Sequence, residues 1–294
     1  YQNLNGIECT NDHKILIGGK REKRSHGGYN NIFYKKNKWV QADEVKENDF
    51  LVIPKYNLAK KEDVIDLADY SDDKMDITKD KIIEYSLGPQ KQPIREINRF
   101  LPLNYDTGFF FGVFSGDGSF PKRNSAEIDI CCNITDDSDN YIPKIINNLG
   151  FKRLNGNGSD KPYGKHINNE SNCVYYWFSS RCLRNFLEDI CPGYQRTAET
   201  KELFGYKLSE NKDYLLGLID GIVKSDGHNY KKGSKKTTIS SISLKLLNQL
   251  RYVLLKMNVL SAVIPHNTQE TRKNGRILNK VISLILIEDF WKAI

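Results

Sequence analysis

Two stretches of this chain close in the same way. Phe109-Phe110-Phe111-Gly112-Val113-Phe114-Ser115-Gly116-Asp117-Gly118 and Leu215 through Ser225-Asp226-Gly227 are apolar runs with internal glycine, each ended by Asp-Gly. Gly112 lies five residues before Asp117, and Gly221 lies five before Asp226. The two aspartates are 109 residues apart, which reads as an internal duplication. A glycine inside a helix costs about 1 kcal/mol relative to alanine. Close approach of two backbones is a return for that cost. The spacing therefore predicts two helices packed face to face, each stopped by a glycine free to take a positive φ. Two carboxylates would then meet at one end of the pair. An ordinary core helix ending in Asp-Gly is the other reading, and it fits one copy better than two matched ones.

These residues resemble the LAGLIDADG homing endonucleases, over about two thirds of the chain. The resemblance implies an α+β fold of duplicated αββαββα halves related by a pseudo-two-fold axis. It also implies motif helices at the interface, with the last acidic residue of each motif holding the catalytic metal. That role falls on Asp117 and Asp226. The second copy departs from the pattern. Leu216-Gly217-Leu218-Ile219-Asp220 matches the opening letters, and about one helical turn is then inserted before Ser225-Asp226-Gly227. Asp220 is thus the rival by letter. Asp226 is the expectation by geometry, because Asp220 would sit about 9 Å back along the helix.

Metals held by carboxylates activate water and neutralise a phosphorane without a nucleophilic side chain. Mg²⁺ (or Mn²⁺) needs few carboxylates and keeps waters. Asp117 and Asp226 are the expected ligands, with the backbone carbonyls of Gly116 and Ser225 as secondary ones. The family also places a basic residue near each metal. By resemblance one is Lys201, in Thr200-Lys201-Glu202-Leu203, although a proline usual soon after it is replaced by Phe204. A solvated lysine is the other reading.

Residues 1–54 read as short strands and turns. Gly18-Gly19 and Gly27-Gly28 bracket a basic loop: from Gly18 to Lys38 there are seven Lys/Arg against one Glu. Thr10-x-x-His13, then Trp39, Ala42, Asp49 and Pro54, resemble the Hint fold of inteins and hedgehog-like autoprocessing domains. There the Thr and His polarise the splice bond, so Thr10 and His13 would be a splicing-motif remnant. A polar turn between strands is the alternative. A splicing intein begins with Cys or Ser and ends His-Asn or similar. This sequence begins at Tyr1 and ends Trp291-Lys292-Ala293-Ile294. The expectation is an internal piece of an intein-like protein, unable to splice as it stands.

The organisation expected is a partial all-β Hint-like region at 1–56, a linker with some helix at 57–104, one half at 105–210, and a second at 211–294 that stops early. After Asp117 the pattern gives a strand at 126–132, a helix at 141–149, a strand at 174–179 and a helix at 183–190. After Asp226 it gives a strand at 237–243, a helix at 244–257, and strands at 262–264 and 281–287. Base-reading side chains by strand alternation are Asp129, Asn133, Tyr175, Ser241 and Ser243.

Charge bears on the partner. The net charge is +7, a weak pull towards anions. Lys231, Lys232, Lys235 and Lys236 follow the second motif directly, and Arg272 and Lys273 cluster near the end. These are the expected DNA contacts; solvated loops are the alternative. No apolar run is long enough to span a membrane, and no signal peptide is visible, so an intracellular monomer is expected. The six cysteines form no Cys-x-x-Cys pair, which argues against zinc and for reduced thiols. The function expected is a sequence-specific DNA endonuclease making a metal-dependent double-strand cut on double-stranded DNA, in intein homing. The alternatives are a splicing element with a degenerate nuclease and a maturase-like RNA-binding protein.

Overall fold

The computed structural model describes residues 9–18, 21–26, 29–34, 36–47, 49–53, 55–58, 63–89, 91–121, 126–154, 162–191, 199–229, 237–266, 270–271, 277–278 and 281–286. The chain forms two compact units, residues 3–56 and residues 57–294.

The smaller unit is mostly β among its described residues, with one 3-10 turn at Ala42–Glu44. Its strands are β1 (Lys14–Gly18), β2 (Arg21–His26), β3 (Tyr29–Tyr34), β4 (Lys38–Gln41) and β5 (Phe50–Leu51). They make an antiparallel sheet in the order β4-β1-β5 and a separate β2–β3 hairpin. The segment expected as a basic loop is therefore largely this hairpin. Alternation along β1 and β4 buries Ile17 and Val40, while Trp39, opposite Leu16, stays 64% exposed.

The larger unit opens with β6 (Val64–Asp66), β7 (Met75–Ile77), β8 (Lys81–Tyr85), β9 (Pro93–Asn98) and β10 (Phe100–Pro102). The linker expected at 57–104 is thus a folded β region. Its helical spacing at Val64, Ile65 and Ala68 is taken up by a strand and one 3-10 turn. Next come α1 (Tyr105–Asp117), β11 (Gly118–Ser119), β12 (Glu127–Asn133), α2 (Ser138–Asn148), β13 (Lys152–Arg153), β14 (Gly164–Asn168), β15 (Cys173–Ser179) and α3 (Arg181–Ile190). Then follow α4 (Lys212–Asp226), β16 (Gly227–Asn229), β17 (Thr237–Ser241), α5 (Leu244–Lys256), β18 (Ser261–His266), β19 (Glu270–Thr271), β20 (Ile277–Leu278) and β21 (Val281–Leu286).

Two four-stranded antiparallel sheets follow the two long helices, in the orders β11-β12-β15-β14 and β16-β17-β21-β18. Within each, the first strand after the helix is an edge, the second pairs with the last, and the third is the other edge. A third four-stranded sheet runs β13-β9-β8-β7. It borrows β13 from the chain between α2 and β14, so the early β region is built into the body of the unit.

Helix α1 starts at Asn104, whose side chain accepts from the Thr107 amide at 3.2 Å. Asn211 does the same for α4, accepting from Asp213 and Tyr214. Almost every residue of α1 from Thr107 to Gly116 is buried, as befits a helix apolar all round. Helices α1 and α4 lie against each other in step. A Cβ at Gly108 would sit 2.1 Å from the Tyr214 carbonyl oxygen, at Gly112 2.3 Å from that of Leu218, and at Gly221 2.3 Å from that of Phe109. At Gly116 it would meet the Ser225 Oγ at 2.1 Å. Gly108 and Gly112 each meet the residue 106 further on and Gly221 meets the one 112 back, offsets that straddle the 109 separating the two aspartates, so α4 holds no inserted turn relative to α1 over this stretch. The glycines set the register, and the letters around Gly217 do not.

The glycines after the aspartates also differ from expectation. Gly118 has φ −77° and Gly227 φ −79°, ordinary extended values. Crowding explains them: a Cβ at Gly118 would sit 2.3 Å from the Phe114 carbonyl oxygen, and at Gly227 2.1 Å from that of Val223.

Candidate active site

The parallel register brings Asp117 and Asp226 to the same end of the helix pair, at the last turn of α1 and of α4. Their charges oppose each other. Burial pushes the Asp117 carboxyl up to about 8; Asp226 adds to the rise, Lys201 counters it, and Asp136 adds a little more. The Asp117 Oδ2 atom is buried with no hydrogen-bond partner among the described residues. Around it lie the Cys132 thiol, pushed up to about 12 first by burial and then by Asp117, and the Tyr141 hydroxyl, 3.6 Å from the Cys132 sulfur.

Lys201 sits between the two helix ends. Its ammonium donates to the Gly116 carbonyl and lies 3.4 Å from the Asp226 Oδ2. The segment carrying it is held at each residue. The Ser243 hydroxyl donates to the Lys201 carbonyl at 2.6 Å while capping α5 through the Leu246 amide. Glu202 is 2.5 Å from the Lys245 ammonium and accepts from the Gln249 amide at 3.0 Å. The Leu203 amide donates to Gln249 Oε1 at 2.8 Å, and the Phe204 amide to Ser115 Oγ at 2.9 Å. A lysine anchored this way has already lost most of the side-chain and loop freedom that a surface lysine keeps.

Ser225 turns its hydroxyl back on its own helix, to the carbonyls of Gly221 at 3.1 Å and Ile222 at 3.3 Å. Asp220 points elsewhere: it accepts from the Tyr105 hydroxyl at 2.8 Å, near the start of α1. Burial raises its pKa, with Tyr105 opposing. Thr10 and His13 are exposed, and the His13 amide donates to the Thr10 carbonyl at 3.1 Å, closing a turn before β1. Lys231, Lys232, Lys235, Lys236, Arg272 and Lys273 lie outside the described residues.

The sheet faces sort the expected base readers. Ile128, Ile130 and Cys132 of β12 are buried, so Asp129, Cys131 and Asn133 take the other face. Opposite them on β15 are Trp177, Tyr175 and Cys173, and on β14 His166 faces Tyr175 and Asn168 faces Cys173. In the second sheet Ile239 is buried, which places Ser241 on its side and Thr238 and Ser240 on the other. Ser241 is therefore not on the outward face, and Ser243 is spent as the α5 cap.

The donor set decides which cation would fit. Among the described residues no three His, Cys, Asp or Glu side chains converge, so a closed zinc-type site is not built there. Two carboxylates, one buried carboxylate oxygen without a partner, and a carbonyl already accepting from a cation suit a hard ion that keeps waters. Sequence reasoning missed the clamp of Ser115, Ser243, Gln249 and Lys245, and the proximity of Asp136. All of these are tertiary meetings without a local pattern.

Comparison with known proteins bears on the second half of the unit. Residues 213–294, from the first turn of α4 onward, match the family model described as LAGLIDADG-like domain. The chain is 23% identical over 222 residues to the DNA-directed RNA polymerase subunit Rpo1C of Methanocaldococcus jannaschii, covering 76% of this chain and 23% of that protein. It is 21% identical over 284 residues to the ATP-dependent DNA helicase Hel308 of Thermococcus kodakarensis, covering 92% of this chain and 24% of that protein. The chain thus spans about a quarter of the length of these relatives. Among solved structures it is similar to I-DmoI in complex with DNA and Ca, with TM-score 0.38 and 15% identity over 63% of this chain and 84% of that one. An I-DmoI variant with its nicked target DNA and Mn gives TM-score 0.39 and 14% identity, over 63% and 89%. No helix among the described residues is long and apolar enough to cross a membrane.

Proposed function

We propose that this chain is a divalent-metal-dependent endonuclease that makes a double-strand cut in DNA, with residues 105–210 and 211–294 as duplicated halves. The observation that carries this reading is the meeting of Asp117, Asp226 and the clamped Lys201 at one end of the α1–α4 pair. Asp117 and Asp226, with the Gly116 and Ser225 carbonyls, would hold Mg²⁺ or Mn²⁺. When bound, the ion supplies charge neutralisation at the phosphate and acidifies a water. The chain's own groups do the rest. Lys201 presents a fixed positive charge to the phosphate oxygens, which costs no reorganisation at the moment of reaction. The helix pair fixes the distance between the two carboxylates, so each serves one strand of the duplex. The two sheets lay their outward faces along the grooves. On the same reading the unit at 3–56 is a Hint-like remnant, Lys231, Lys232, Lys235, Lys236, Arg272 and Lys273 contact phosphates, and the chain acts as a monomer.

The test is cleavage of long duplex DNA in Mg²⁺ by the wild type, Asp117→Asn, Asp226→Asn and Asp220→Asn, with DNA binding and melting followed in parallel. Cleavage by the wild type and by Asp220→Asn, with strong loss in the other two, supports the reading. A folded wild type that binds duplex DNA without cutting it points to a degenerate nuclease. Preference for structured RNA over duplex DNA points to the RNA-binding alternative. An active Asp226→Asn enzyme refutes the site.

A further inference from the structure

The outward face of the first sheet is short of the side chains that grip base edges in pairs. Its described positions on β12, β15 and β14 hold no Lys or Arg, the residues that take the O6/N7 edge of guanine. Asn133 and Asn168 have the chemistry of adenine readers, but their carboxamide oxygens are spent in turns. Asn133 Oδ1 accepts from the Thr135 amide at 3.0 Å and the Thr135 hydroxyl at 2.9 Å. Asn168 Oδ1 accepts from the amides of Glu170 at 3.0 Å and Ser171 at 3.2 Å. A bidentate hold on adenine needs the oxygen and the nitrogen of one carboxamide together.

What the face does offer is an aromatic plate. Trp177, on the inner strand β15, stands opposite Gly164 on the edge strand β14. A glycine inside a strand weakens it and marks a close approach. Here the approach is by the indole: a Cβ at Gly164 would sit 2.1 Å from Trp177 Cε2, 2.2 Å from Cζ2 and 2.6 Å from Nε1. The ring-fusion carbon is the nearest of the three, with its two ring neighbours farther off, so the glycine lies under the flat face of the ring and not at its edge. The indole is thus laid across the β14 backbone with its second face turned out, and Trp177 is half-buried. Core packing does not account for the arrangement, since Tyr176 and Phe178 on either side are the residues that point into the core. Tyr175, on the same face, meets His166 and not a glycine, so it has no such seat.

We propose that Trp177, seated on Gly164, is a specificity residue that packs its open indole face against the C5-methyl group of a thymine in the major groove of duplex DNA. The face of an indole brings neither donor nor acceptor to a base edge, and among the four bases of DNA only thymine carries a methyl there. Uracil lacks that methyl, so the contact also favours DNA over RNA. The proposal rests on the reading of the chain as a DNA endonuclease and names a base for the arm of the target that the first sheet covers.

The experiment is fluorescence anisotropy of the full chain in EDTA with a duplex that the wild type selects from a random-sequence pool. Each thymine of that duplex is replaced singly by deoxyuridine, which removes the methyl and keeps every hydrogen-bonding group. The variants are Trp177→Ala, Trp177→Gln and Gly164→Ala, with melting checked for all. Expected for the wild type is a thymine position where loss of the methyl weakens binding about fourfold, the worth of one buried carbon. Trp177→Ala should bind the thymine and deoxyuridine duplexes alike there. Trp177→Gln carries the same expectation should Trp177→Ala fail to fold. Gly164→Ala keeps the indole and lifts it from its seat, so it should blunt the preference. A merely structural tryptophan would lower both affinities together and leave their ratio unchanged. A wild type indifferent to every methyl, or a methyl preference that survives Trp177→Ala and Trp177→Gln at every position, overturns the proposal and leaves the endonuclease reading standing. A wild type that selects no duplex overturns both. If the Trp177 variants weaken binding of single-stranded DNA and leave the thymine preference of the duplex intact, the ring stacks on unpaired bases and the proposal falls.

Discussion

Gly112→Ala is the sharpest test of the helix pair. The added methyl carbon would lie 2.3 Å from the Leu218 carbonyl oxygen, 2.7 Å from the Ile222 nitrogen and 2.8 Å from the Gly221 Cα. All three are backbone atoms, so no side chain can swing aside. Restoring an ordinary contact of about 3.4 Å requires the helices to separate by roughly 1 Å, through a core packed to crystal density. Overpacking of this kind costs about 1–3 kcal/mol, and here it is resisted by two rigid backbones, so the upper end applies. Against it stands the alanine gain in helix propensity, about 1 kcal/mol. The net expectation is a loss of about 2 kcal/mol, or roughly 4–8 °C in melting temperature for a unit of this size. Gly88→Ala is the control, because a Cβ there has nothing within 4 Å, and its effect should stay within about 0.5 kcal/mol. Differential scanning calorimetry of both variants reads the difference. A Gly112→Ala protein as stable as Gly88→Ala would refute the close crossing. The double variant Gly112→Ala/Gly221→Ala should cost less than the two singles added, since one separation of the helices serves both.

Lys201→Met should abolish cleavage of duplex DNA while shifting affinity only slightly, since it removes one of the chain's 44 Lys and Arg charges; unchanged cleavage would show the lysine to be a spectator. In EDTA, stability should fall as pH rises from about 4 to about 8. The folded Asp117 acid sits near 8 against an ordinary 3.8, so its contribution is full below the ordinary value and is lost on passing through the raised one, on the order of a few kcal/mol. Asp117→Asn should flatten that slope in thermal melts, and an unchanged slope would locate the effect elsewhere. Glu84→Ala should cost about 3 kcal/mol in urea unfolding, because it strands the Ser180 hydroxyl, two α3 amides and Arg95 at once; a loss under about 1 kcal/mol would mean that water replaces the carboxylate.

The helical parts of the fold were legible because their apolar spacing is regular. Helices expected at 141–149, 183–190 and 244–257 are found at Ser138–Asn148, Arg181–Ile190 and Leu244–Lys256. The region at 57–104 was not. Its strands are short, and in Lys81–Tyr85 one of the two buried positions holds Glu84, which breaks the alternation that marks a strand. That carboxylate is inside because a helix start 96 residues away needs a cap, which no window along the chain can see. Strand β13, two residues long, has no pattern at all. In the site, Asp117 and Asp226 stood out by glycine spacing, and Lys201 by resemblance alone. The positive φ expected at the Asp-Gly stops was a wrong inference from a right residue: Gly118 and Gly227 are there for want of space.

The two outward faces carry different side chains on the same strand order. One presents Asp129, Asn133, His166, Asn168, Tyr175 and Trp177, the other Thr238, Ser240, Ala262 and Ile264 among its described positions. A homodimer must show the same face twice, and its target is pulled towards a palindrome. A single chain carrying both sheets is under no such rule. Either face can accept a substitution without imposing the same change on the other; on the proposed reading, the left and right arms of a DNA site could then drift apart one base at a time. The helix pair has no such freedom, since any side chain added at its glycines is felt by both partners. If the chain is the endonuclease proposed, variation in what is read and invariance in where it is cut belong to different layers of one fold.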